Sequence, residues 1–228
     1  MYEELYRKRR WTLPQIVIVV FVIAILASAL VPTFNKVAPK ANQAAAAGNC
    51  RQIITALRLY ADDHNGKYPD AHGAERQTSN QVFRFLFREG YLEDGRAEGI
   101  FGAKVSPFVP DNIVGDAPNY PKALEAGENH WAMTKGLKDT SNPLTPLVFE
   151  NPAHADWPPT WNADSAGKKE RGRTWPGGRI VVGFNDTSVQ VIKLESAKGA
   201  SLGVAKGADG RDIFTRAAES MEILDVEP

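Results

Sequence analysis

Four histidines, a single cysteine and scattered carboxylates are the side chains through which this 228-residue chain could bind a metal or activate a nucleophile. The densest grouping is Asp62, Asp63, His64, Asp70 and His72. Its oxygen and imidazole donors suit a divalent metal, yet the spacing fits no strong metal motif. A solvated helix end followed by a polar loop explains the same residues. His130 and His154 stand apart from this group. Cys50 has no second cysteine to pair with, so no intramolecular disulfide can form. It reads as a small buried apolar residue, with a reactive or cross-linking thiol as the sharper alternative. The chain carries no Gly-x-Ser-x-Gly elbow, Walker loop, Cys-x-x-Cys or His-Glu-x-x-His. The glycine-rich string from Gly199 to Gly210 lacks both a strand-to-helix context and a Lys-Ser/Thr ending. The expectation is therefore no enzyme, no catalytic residue, no metal and no cofactor.

Two further groups suit binding. Trp157, Trp161 and Trp175, with Pro158, Pro159 and Pro176, would make an aromatic surface for a glycan or an envelope protein, or would tuck their rings onto a sheet. Lys168, Lys169, Arg171 and Arg173 form a short basic run that is either a solvated loop or a contact for DNA or an acidic surface. The whole chain balances 27 basic against 27 acidic residues, so nothing draws it generally to nucleic acid.

The elements that must position these groups begin with Trp11 to Asn35, an uncharged run behind Arg7, Lys8, Arg9 and Arg10. A hydrocarbon core of about 30 Å takes roughly 20 apolar residues as a helix, and a single span has no other way to satisfy its backbone. Ala27-Ser28-Ala29 resembles a signal-peptide cleavage site, but the apolar character continues to Phe34, which favours an uncleaved anchor. The basic cluster should stay cytoplasmic. The expected organisation is a basic head at 1–10, a transmembrane helix at 11–35, an amphipathic helix at 36–65 and an extracytoplasmic globular domain at 66–228. Pro14 suits the start of the span, whereas Pro32 and Pro39 invite a kink or a locally melted turn.

In the amphipathic part, Cys50, Ile53, Ile54, Leu57, Tyr60 and Ala61 recur at helical spacing, and Asn65-Gly66 supplies the stop. A second helix is expected over Asn80–Glu89. Strands are expected over Pro146–Glu150, Arg179–Phe184 and Ser188–Leu194, with Asn185-Asp186 as the hairpin turn and Asp186 there for turn geometry. Residues 95–145 give weak signals, 151–178 read as a long loop, 196–210 as a flexible connector, and Arg211–Leu224 as a C-terminal helix. The fold class is α+β: a long N-terminal helix, transmembrane then amphipathic, packed on a small antiparallel sheet with long loops.

The order of basic head, Trp11-Thr12-Leu13, apolar Ile16 to Leu30, Pro32 and then an amphipathic helix resembles the type IV pilin and type II secretion pseudopilin family. The stretches Asn49 to Asp63, Gly66-Lys67-Tyr68-Pro69, Ser141-Asn142-Pro143 and Val181 to Val189 are similar to pilin-like proteins of some environmental bacteria. The likeness covers 7–70 well and 140–195 loosely. It implies a structural subunit of a secretion or pilus-like assembly, held by a single pass in a bacterial inner membrane. Its partners would be lipid and other pilin-like subunits, met through the N-terminal helix. Two positions depart from the pattern. Arg10 stands where the family's processing peptidase meets a glycine, so the candidate processing site is Arg10-Trp11. Gln15 stands where the family carries a glutamate thought to pair with a neighbour's amino terminus. The resemblance thus points to an accessory or unprocessed pilin-like protein, with Trp11, Gln15, Val17, Val20, Phe21, Ala24, Leu26, Ala27 and Pro32 as its assembly and membrane residues. A single-pass anchored binding module using the Trp-rich loop is the alternative.

Overall fold

The computed structural model of the chain describes residues 12–71, 77–92, 95–163 and 168–228, with backbone alone for 27–36 and 95–96. Helix α1 runs Leu13–Asp63, 51 residues. At its start the Thr12 N–H donates to Gln15 Oε1 at 3.0 Å and the Ile16 N–H to the Thr12 carbonyl at 3.2 Å. Gln15 thus reaches back to the cap as the third residue of a capping box does. Helical backbone continues through Pro32 and Pro39, so no melted turn forms at either. At the far end Asn65 and Gly66 take positive φ, and the Gly66 N–H closes on the Ala61 carbonyl at 2.8 Å, as the sequence led us to expect.

The chain divides into two compact units, Met1–Ala41 and Asn42–Pro228. The second unit takes in the outer part of α1, because the apolar stripe there is core: Cys50, Ile53, Ile54, Leu57 and Ala61 are fully buried. In the first unit, by contrast, every described side chain from Thr12 to Leu26 is exposed. Among the described residues no helix is long and apolar enough to cross a membrane. The expected span at 11–35 includes Trp11, and the side chains of 27–35, which lie outside what is described, as does the basic head.

The second unit is α+β, built on a five-stranded antiparallel sheet. The strands are β1 (Trp131–Thr134), β2 (Pro146–Glu150), β3 (Arg179–Phe184), β4 (Val189–Lys193) and β5 (Ile223–Leu224), in the order β4-β3-β2-β1-β5. β2 and β3 fall where the sequence put strands, at Pro146–Glu150 and Arg179–Phe184. The β3–β4 turn closes with the Phe184 N–H on the Ser188 carbonyl at 2.8 Å, Thr187 adopting φ +71°. β1 and β5 had no such signal: they are four and two residues long and lie between glycine- and charge-rich segments.

Alternation along the strands serves two cores. Trp131, Met133, Val148, Val181 and Leu224 face the side that carries α1 and helix α2 (Ser79–Arg88). Ala132, Phe149, Ile180, Val182 and Phe184 face the other, under Trp161, Val204 and Phe214. Strands covered on both sides read as continuous apolar runs, hence RIVVGF. A register shift between Pro146 and Val148 lets Leu147 join Val148 in the α1-side core.

Two elements differ from expectation. The C-terminal helix α4 covers only Ile213–Ala217; the chain then extends, and Ile223–Leu224 pairs with Met133–Thr134 as β5. The free edge of β1 offers backbone partners that a longer helix would leave unmet. Asp212 caps α4, its Oδ1 accepting from the Phe214 and Thr215 N–H groups at 2.7 and 2.9 Å. The segment 196–210 is docked rather than loose: Leu202 pairs with Trp161 and Val204 with Leu194, and Val204 is buried.

Candidate functional site

The most conspicuous surface is the start of α1. Leu13 is 78% exposed, Val17 58%, Val20 59%, Phe21 65% and Leu26 58%, and Ala24 is exposed with them. Val17, Val20, Phe21 and Ala24 follow the i, i+3, i+4, i+7 spacing of one helical stripe. Yet Ile16, Ile18, Val22, Ile23 and Ile25 are exposed between them, so this stretch is apolar all round. The result is a continuous exposed apolar surface. Gln15 serves the Thr12 cap. The Arg10-Trp11 bond and the side chains of Ala27 and Pro32 lie outside the described residues.

The histidine and aspartate grouping does not converge among the described residues, and His72 lies outside them. His64 stacks on Tyr60 with ring centroids 3.8 Å apart, and its Nδ1 lies 2.7 Å from the Tyr60 carbonyl oxygen. Asp63 accepts from the Tyr91 hydroxyl at 2.8 Å, and Asp70 from the Gly136 N–H at 2.6 Å. Asp63 and Asp70 thus reach two different segments, while His64 packs along its own helix.

The tryptophans of the long loop do not form an exposed platform. Trp161 and Trp175 are buried, their indole N–H groups donating to the Glu150 carbonyl at 3.1 Å and to Glu150 Oε1 at 2.6 Å. Trp157 is half-buried, edge-on to Phe214 and donating to the Ala218 carbonyl. Of the basic run, Lys168 and Lys169 are exposed. Arg171 instead donates to the Pro152 carbonyl and pairs with Asp225.

Two polar groupings had no signature in the sequence. In the core, Asn151 Nδ2 donates to His130 Nδ1 at 2.6 Å, which leaves the imidazole proton on Nε2, 3.4 Å from Glu150 Oε1. His130, Glu150 and Trp175 are at most 4% exposed, so the group ties β1, β2 and the long loop together and offers no entry to a substrate. Cys50 lies on the α1 side of the same sheet, its thiol directed at the Val148 carbonyl at 3.6 Å. Burial, with the Glu150 charge added and Arg51 opposing, pushes that thiol well above its ordinary range, which favours the neutral form.

The second grouping is Glu98, Asp111 and Glu128, one oxygen from each lying within 4.8 Å of the others. Glu98 ends the short helix α3 (Gly95–Glu98), and the other two lie on the loop that leads into β1. Burial raises the Glu98 carboxyl above the usual range; the Asp111 charge adds to this, while the amides of Leu124, Asn112 and Ile113 oppose it. Burial likewise pushes Glu128 up to about 7, reinforced by the charges of Glu98, Asp111 and Glu125. Carboxylates separated by 13 and 17 residues on a loop without periodicity carry no motif.

No family model, no curated protein and no solved structure matches the chain.

Proposed function

We propose that this chain is a membrane-anchored structural subunit of a type IV pilus-like or type II secretion-like assembly. Its apolar N-terminal helix would lie in the bacterial inner membrane beside the helices of other pilin-like subunits, with the Asn42–Pro228 unit on the extracytoplasmic side. The observation that carries this reading is the exposure of every described side chain from Thr12 to Leu26, in a chain that closes its core elsewhere. In water such a surface would be a liability to association. In lipid it is solvated, and small residues such as Ala24 let helices approach closely. The uncharged stretch of sequence from Trp11 to Asn35 supplies the length a span needs, and Arg7 to Arg10 supply the cytoplasmic anchor. Gln15 supports an accessory role: as a neutral amide engaged with the Thr12 cap, it offers no carboxylate to a neighbour's amino terminus.

The working mode is assembly rather than turnover. Ala24→Trp places a large ring on the helix stripe without adding charge. Co-purification with partner subunits should fall several-fold while the variant still fractionates with membranes. Undiminished co-purification would remove the packing role.

A further inference from the structure

We propose that Glu98, Asp111 and Glu128 form a binding site for a hard divalent cation, calcium by its chemistry, that fastens the loop between α3 and β1.

The argument starts from Glu98. Its side chain is fully buried, Oε1 accepts from the Leu124 N–H at 2.7 Å, and the Asn112 and Ile113 amides also act on the carboxylate. Oε2 is shut off from solvent and has no hydrogen-bond partner. A buried carboxylate oxygen left bare is costly, and proteins rarely keep one without a proton or a cation to meet it. The surroundings offer Glu98 other carboxylates rather than a cation: Asp111 and Glu128 bring their oxygens within 4.8 Å. None of the three carboxylates joins an ion pair among the described residues. The nearby guanidinium of Arg84 is occupied by the carbonyls of Ala123 and Leu124, at 2.7 and 3.0 Å.

The cluster is also held open. The Ile113 N–H donates to Asp111 Oδ1 at 2.7 Å and the Glu125 N–H to Glu128 Oε2 at 2.6 Å. With Leu124 on Glu98, each carboxylate has one oxygen anchored to backbone. Asn80, from α2, fixes the same segment from behind by donating to the Leu124 and Glu125 carbonyls at 3.0 and 3.1 Å. The ligand set is all oxygen, which selects against zinc and copper. Oxygens on one calcium ion, each about 2.3–2.6 Å from it, lie no more than about 5 Å apart. Asp111 is exposed, so water can complete the shell and an ion can enter from that side. Magnesium requires a tighter octahedron and dehydrates reluctantly, so it suits this partly buried set less well.

Calorimetric titration of the full, detergent-solubilised chain with calcium chloride, after chelator treatment, tests the site. Three carboxylates with water completing the shell place the expected Kd at about 10⁻⁴–10⁻³ M, with a stoichiometry of one and a rise in Tm. Asp111→Asn alters an exposed side chain and should leave the circular dichroism unchanged while weakening binding at least about tenfold. Asp209→Asn, at an exposed aspartate paired with Arg216, should leave binding unchanged. Three results would overturn the proposal: no heat and no Tm shift at calcium about tenfold above that range; binding untouched by both Asp111→Asn and Glu128→Gln; or an equal response to magnesium chloride. The first would mean that protons alone settle the cluster.

Discussion

Asn185 shows how much one side chain can organise. It is fully buried, and its Nδ2 donates to the carbonyls of Lys138 and Ser141 at 2.9 and 3.0 Å. Its Oδ1 accepts from the Tyr68 hydroxyl at 2.8 Å, and its carbonyl from Arg58 at 2.8 Å. One residue thereby ties the end of α1, the 138–141 loop and the β3–β4 turn. In the sequence Asn185-Asp186 reads only as turn chemistry, because local pattern cannot show which distant carbonyls a side-chain amide will meet. Burial pushes Tyr68 from 10.0 up to about 12, with Arg58 opposing. The unfolded tyrosine ionises first, so stability carried by the neutral phenol is complete below pH 10 and is lost as pH climbs toward 12. Tyr68→Phe leaves Asn185 Oδ1 without this donor and should cost about 1–3 kcal/mol at neutral pH. The gap between variant and wild type should then close through the alkaline range. Urea midpoints measured across that range check it, and a constant gap would contradict the assignment.

At the scale of elements, packing periodicity was legible and backbone pairing was not. The α1 stripe, the end of that helix at Asn65-Gly66, α2, β2 and β3 all followed from apolar spacing and stop signals. β1, β5 and the shortness of α4 did not, since a two-residue strand is defined by the edge it completes. The Glu98 cluster and the His130–Glu150 pair were hidden for a related reason: the first meets across the fold of the segment between α2 and β1, the second across the β1–β2 ladder. Helix and sheet meet closely at Gly183 on β3, where a Cβ would strike the tips of Ile54 and Cys50. Gly183→Val should destabilise the fold by about 1–3 kcal/mol through overpacking. Ile54→Val opens room at the same spot, so the double variant should lose less than the sum of the two single losses. Strict additivity in chemical denaturation would show that the contact is not the one that limits packing.

For the whole molecule, the contrast lies between the Asn42–Pro228 unit and the described start of α1. Asn42–Pro228 covers both faces of its sheet, whereas the described start of α1 leaves its apolar side chains outside. None of residues 12–26 joins either core. Charge placed on that stretch should therefore alter where the protein resides without altering its fold. Each lysine at the centre of a span costs about 2.5–3.5 kcal/mol on an insertion scale.

Flotation of the intact chain with lipid vesicles, set beside the Val20→Lys/Phe21→Lys double variant, tests the central claim most directly. The wild-type chain should rise with the lipid, and the variant should shift at least in part to the aqueous fraction while keeping the same Tm. A wild-type chain that stays in the aqueous fraction, monomeric and folded, would contradict the account.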